Sequence, residues 1–308
     1  MKYIILVIVT ILFILIIGAG FYYFLTPTAT VDNLPVAVEK PTPVVATSTI
    51  ATTTEELPIE RGPETVIGTS VKNNAITAYH FGQGKDEIVF IGGIHGGYSW
   101  NTSLVAYELV DYLKANPAVV PENITVTVIP VLNPDGLESV TGKTGRFVAS
   151  DITANQAEQT AGRYNANKVD LNRNFNCQWQ PTGKWQNKTV SGGSNPFSEP
   201  ETKAIEKYTA DNTPVAVITW YSAAGGVYSS NCENGVLPET TILTDLYANA
   251  SGYKAYQEFN YYEITGDMVN WLASQNIPAI SVLLSNHSDT EWTKNLAGVE
   301  AVIKHFQK

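Results

Sequence analysis

His95 lies in FIGGIHGGYSWNTS, Phe90 to Ser103, where an apolar run ends in glycines and a single imidazole follows. A catalytic zinc built on that histidine would want a carboxylate about one helical turn further on. The chain offers Tyr98 and Ser99 there, and no Asp or Glu occurs between His95 and Glu108. Arg173 is the second candidate. It sits in NANKVDLNRNF, Asn165 to Phe175, between Asn172 and Asn174 in a loop entered by an apolar–acidic pair. A guanidinium fork beside amide side chains suits a planar carboxylate held bidentately. An arginine that ties a long loop together would have the same neighbours, and the residue types leave both readings open.

The elements that must position these groups can be read from periodicity. AITAYHF and EIVFIGG are strand-like, SLVAYELVDYLKAN carries apolar residues at helical spacing, and ITVTVIPVLNPDG is a strand closed by an Asn-Pro-Asp-Gly turn. A long irregular section spans 137–197. SEPETKAIEKYTA then opens with a capping box, Ser198 with Glu201, and a second box, Ser288 with Glu291, precedes the last helix. Between them VAVITWY and AISVLLS are buried-type strands, and TTILTDLYANAS and TGDMVNWLASQNI are helices. Alternating strands and helices predict an α/β sheet with helices on both faces. Ligand sites in such sheets collect at the carboxyl ends of strands, and His95, Tyr221 and Ser285 fall there.

Composition bounds the rest. Tyr3 to Leu25 contains no charge, and as a helix it is about 30 Å long or a little more, enough to cross a bilayer. Lys2 is the only charged side chain before it, which predicts a single-pass anchor over 1–25 with a cytoplasmic N-terminus and an extracytoplasmic domain. Residues 26–63 are rich in Thr, Pro and small side chains and read as a linker. Residues 64–308 are left, enough for one large domain. A net charge of −10 argues against nucleic acid as a partner. Cys177 and Cys232, the only cysteines, are expected to form a disulfide in an oxidising compartment. Nothing in the sequence signals an oligomeric state.

The ordered set GGIHGG, VIPVLNPDG, GRYNANKVDLNRNF, TWYSAAGGVY, YYEITGDMVNW and AISVLLSNHSDTEW resembles the zinc carboxypeptidase family, the carboxypeptidase A/B-like peptidases, over essentially the whole domain. The resemblance implies a mixed eight-stranded sheet between helices. It also implies one zinc held by a histidine and a glutamate from the first loop and a histidine from a later strand end. His95 matches the first ligand. Ser99 stands where the glutamate precedes a tryptophan, Tyr221 where the second histidine precedes a serine, and Leu283 where the general-base glutamate lies. The resemblance implies other roles that this chain matches: Asn172 and Arg173 gripping a terminal carboxylate, Arg163 stabilising an oxyanion, and Tyr262 closing over the ligand.

A serine hydroxyl is a poor neutral ligand, a tyrosine binds metal only as phenolate, and a leucine cannot accept a proton. The expectation is therefore a pseudoenzyme without a cofactor that binds the C-terminus of a peptide or cell-wall peptide. One alternative is an active metallocarboxypeptidase that uses zinc through atypical ligands. The other is a structural or adhesive surface domain.

Overall fold

The computed structural model describes residues 62–308. The anchor expected over 1–25 and nearly all of the linker expected over 26–63 lie outside them. Among the described residues no helix is long and apolar enough to cross a membrane.

Strands form where β-branched and apolar residues run together. They are β1 (Glu64–Thr69), β2 (Ala75–Phe81), β3 (Asp86–Ile91), β4 (Ile124–Ile129), β5 (Thr182–Trp185), β6 (Lys188–Ser191), β7 (Ala216–Ser222), β8 (Gly226–Ser229), β9 (Ala255–Tyr256) and β10 (Ala279–Leu284). Eight of them make one sheet in the order β1-β2-β4-β3-β7-β10-β8-β9, and β5 with β6 makes a separate hairpin. The central strands β4, β3, β7 and β10 are mutually parallel, while β1, β2 and β8 pair antiparallel to their inner neighbours. The mixed eight-stranded sheet implied by the resemblance is present. All six residues of β4 and of β10 are buried, as expected for parallel strands covered on both faces.

Alternation along the strands divides the core in two. Ile218 and Trp220 of β7, with Ile280, Val282 and Leu284 of β10, face α1 (Trp100–Ala115), α5 (Pro238–Ser251) and α7 (Trp292–His305). Val217 and Tyr221 of β7, with Ala279 and Leu283 of β10, face the side of α4 (Pro200–Asn212) and α6 (Met268–Ser274). Tyr221 and Leu283 thus share one face, and they are register partners across the β7–β10 ladder.

Three sequence expectations need correction. The Asn-Pro-Asp-Gly segment begins helix α2 (Pro134–Thr141), in which the Asn133 side chain caps by accepting from the Gly136 amide at 2.8 Å. Proline at the first helical position supplies the fixed φ of a helix start, so turn chemistry became cap chemistry. The Ser198–Glu201 box does not form. Ser198 Oγ donates to Glu199, and Glu201 accepts from the Val71 amide and the Asn165 side chain, because long-range partners outcompete the local ones. The Ser288–Glu291 box does not form either; Ser288 Oγ donates to Asn286, and α7 starts after Glu291. The section 137–197 holds the end of α2, the short helix α3 (Gln156–Ala161) and the β5–β6 hairpin.

Candidate functional site

The loop that follows β3 carries His95, and its glycines let it approach the loop that carries Arg163. Gly96 has φ +41°, and a Cβ there would lie 2.7 Å from the Gly162 carbonyl oxygen. The Gly97 amide donates to that same oxygen at 3.0 Å. His95 is 5% exposed, and neither ring nitrogen has a hydrogen-bond partner. Its Nε2 is 3.6 Å from Asp170 Oδ1, beyond hydrogen-bond reach, and its ring centroid lies 5.6 Å from that of Tyr221. The imidazole is thus buried without a hydrogen-bond partner, with Asp170 as its nearest charged neighbour. Burial, reinforced by the Arg163 charge, lowers its pKa from 6.5 to about 4, so the imidazole is neutral at pH 7.

Ser99 is the N-cap residue of α1 but makes no capping bond, and its hydroxyl is buried without a partner. Tyr221 Oη donates to Asn172 Oδ1 at 3.3 Å. Burial first, and Asp267 second, raise that phenol well above its ordinary value, so it stays protonated.

The two arginines differ. Arg163 gives Nε to Asp170 Oδ2 at 2.9 Å and Nη2 to the same oxygen at 2.8 Å, with both side chains buried. Burial alone would raise the Asp170 carboxyl, but Arg163 overcomes it and holds the group far below the ordinary carboxylate range. The Trp185 ring lies 4.5 Å from the Arg163 guanidinium carbon.

Arg173 is 1% exposed and has no carboxylate partner among the described residues. Its Nε and Nη2 donate to the Lys184 carbonyl at 3.0 and 2.7 Å, and Nη1 donates to the Asn172 carbonyl at 2.5 Å. A guanidinium has five N–H donors, so two remain. The hairpin lies directly on this side chain, since a Cβ on Gly183 would come within 2.7 Å of Arg173 Cδ. Both readings of Arg173 therefore hold in part: it ties the hairpin to the loop and still has two unused N–H donors, with the Asp267 and Asp170 carboxyls acting on its charge only at longer range.

Asn172 is committed to the protein. Its Nδ2 donates to Asp267 Oδ2 at 2.6 Å, and its Oδ1 accepts from the Met268 amide at 3.1 Å. Tyr262 places its ring 5.9 Å from the Arg173 guanidinium carbon. A cavity of about 1010 Å³ is lined by His95, Arg163, Asn172, Arg173, Tyr221, Tyr262 and Leu283, seven of the eight positions singled out for chemistry. Ser99 is the one that does not line it. The predicted disulfide between Cys177 and Cys232 is formed and joins two segments of the cavity wall.

Sequence reasoning missed two features. Asp170 organises Arg163 and stands beside His95; its signal was the acidic residue two places before Asn172 in VDLNRNF. The second is the contact of Ser222 with His287. Ser222 Oγ is 3.1 Å from His287 Nδ1 and 3.0 Å from Asn101 Oδ1. The Asn101 amide nitrogen donates to the Asn286 and Asp289 carbonyls, which fixes its oxygen toward Ser222. The single hydroxyl proton goes to Asn101, and His287 Nδ1–H donates to Ser222. This pair is oriented against nucleophilic use of the serine.

The donor set does not fit the zinc of the family. His95 has the right chemistry, but Ser99 does not face the cavity, Tyr221 is held as the phenol, and Asp170 is ion-paired. Among the described residues no group of three or more His, Cys, Asp or Glu could hold a metal ion.

Comparison with known proteins agrees with the fold. Among curated proteins, the chain is 28% identical over 160 residues to carboxypeptidase D of Rattus norvegicus, covering 50% of this chain and 9% of the relative. It is 26% identical over 190 residues to the carboxypeptidase N catalytic chain of the same species, covering 56% and 37%. The chain thus spans well under two thirds of these relatives' own length. A crystal structure of murein-tripeptide amidase MpaA from Escherichia coli O157 superposes with a TM-score of 0.56 at 19% identity, covering 80% of this chain and 94% of that one. Residues 63–293 match the zinc carboxypeptidase family, and the chain belongs to it.

Proposed function

We propose that the chain is a membrane-anchored, extracytoplasmic carboxypeptidase-like protein that binds peptide C-termini without hydrolysing them. Arg173 carries this reading. A guanidinium removed from water with no carboxylate in direct contact is costly, and a ligand carboxylate on its two remaining N–H groups supplies both charge and hydrogen bonds. Around the same cavity, Ser99, Tyr221 and Leu283 stand where the family's chemistry needs a glutamate, a histidine and a glutamate. A leucine leaves water without a base, a role typically worth about 10²–10⁴-fold in rate. The anchor and the external location rest on the uncharged Tyr3–Leu25 segment. Peptide or cell-wall peptide termini are the ligands this pocket fits.

The test is a titration of the full-length chain with a short peptide acid and its C-terminal amide, alongside metal analysis and an assay for release of C-terminal residues. The acid is expected to bind and the amide to bind at least about tenfold more weakly, with Arg173→Ala costing the acid about 10–100-fold. Stoichiometric zinc together with release of terminal residues would overturn the proposal.

A further inference from the structure

The cavity that holds Arg173 has a second, opposite charge character toward solvent. Glu233, Glu258 and Glu263 line it, all three are exposed, and none is in an ion pair among the described residues. Phe259, Tyr261 and Tyr262 line the same side, with ring centroids of Phe259 and its two tyrosine neighbours 5.1 and 5.0 Å apart. Tyr261 is 58% exposed, a large aromatic face left to solvent. No lysine lines the cavity, and its only cations are the two buried arginines. Ring faces and carboxylates together favour a cation. At the buried end, Arg173 has two N–H donors without a protein acceptor and no carboxylate in ion-pair contact among the described residues, Asp267 and Asp170 acting on it only at longer range, and neither ring nitrogen of His95 has a hydrogen-bond partner. The walls are therefore graded, with the arginines, Asp170 and Asp267 buried and three unpaired glutamates exposed at the solvent side.

A sphere of about 1010 Å³ is about 12 Å across, which an extended chain spans in three to four residues at about 3.3–3.6 Å each. We infer that the ligand is a short zwitterionic peptide of three to four residues, its carboxylate on Arg173 and a cationic group among Glu233, Glu258, Glu263 and the Phe259–Tyr262 rings. This rests on the anion-pocket reading above and adds a requirement at the other end of the ligand. The N-terminal ammonium of a tripeptide or a basic side chain at that position would supply the same charge.

The experiment is calorimetric titration of the full-length chain with trialanine, N-acetyl-trialanine, trialanine amide and N-acetyl-Lys-Ala-Ala. N-acetylation is expected to weaken trialanine about five- to tenfold, the worth of a few partly screened charge and ring contacts. N-acetyl-Lys-Ala-Ala recovers that loss if a side-chain cation serves as well; a loss it leaves in place assigns the site to the N-terminal ammonium. Combining Glu258→Gln with Glu263→Gln should shrink the gap between free and acetylated peptide, and high salt should do the same. Equal binding of trialanine and N-acetyl-trialanine, with the amide still weak, overturns the inference and leaves the anion pocket standing. Equal binding of acid and amide, or no binding by any acid, overturns the anion pocket and the inference with it.

Discussion

Asp170 decides what the two arginines can do. By accepting two bonds from Arg163 it pairs with one guanidinium inside the protein, which leaves Arg173 as the buried guanidinium without a carboxylate in ion-pair contact among the described residues. The same carboxylate stands 3.6 Å from His95 Nε2, the place from which it would orient a metal-binding imidazole. This supporting group persists although the neighbouring positions are occupied by Ser99, Tyr221 and Leu283. The triple variant Ser99→Glu, Tyr221→His, Leu283→Glu is therefore expected to bind about one zinc per chain, read by elemental analysis after dialysis. Circular dichroism establishes that the variant is folded. A folded variant that stays metal-free would place the defect in the backbone around the Gly96–Ser99 turn. Ser99→Glu is the most demanding of the three changes, because the Ser99 hydroxyl is buried and Ser99 does not line the cavity.

Strands and helices carry these residues to one place because β3, β7 and β10 run parallel and end together. That much was legible in the sequence: each of the three is an apolar run followed by a glycine or serine, and the segments around them supply the ordered motifs. The β5–β6 hairpin was not legible. TGKW and KTVS are polar and short, and what holds them is Arg173 bonding to the Lys184 carbonyl, a contact between segments that no local pattern encodes. Both failed capping boxes have the same cause, since Glu201 and Glu291 found better partners far along the chain or across a turn. The disulfide was legible because only one pairing exists. It closes a 55-residue separation and ties the segment after Arg173 to the loop after β8. Chain entropy assigns a loop of that length about 4 kcal/mol. Replacing both Cys177 and Cys232 by serine is expected to lower unfolding free energy by about that amount, measured as a shift in denaturant midpoint.

Across the whole chain, 29 acidic residues against 19 basic ones set a net charge of −10, yet the cations that line the cavity are two buried arginines. The overall charge was readable from composition, but which arginine keeps free donors was not, because that depends on which one Asp170 pairs with. The buried histidine makes this interior an acid-sensitive point. His95 has a folded pKa of about 4 against 6.5 when exposed, so between those values the unfolded chain binds a proton that the folded chain does not. Stability then rises with pH across that interval and falls as pH drops from 6.5 toward 4. His287, lowered mainly by burial, acts in the same direction. Asp170 acts at lower pH, because its stabilisation is intact above the ordinary carboxylate pKa and is lost only as pH falls below it. Moving from pH 7 to pH 4.5 is expected to cost about 2 kcal/mol through His95 alone. Denaturant unfolding of the native chain and of His95→Asn at the two pH values measures this, and the variant should lose less stability on acidification by about that amount. Equal losses in the two proteins would mean that His95 titrates near its ordinary value in the folded chain and is not sealed from water.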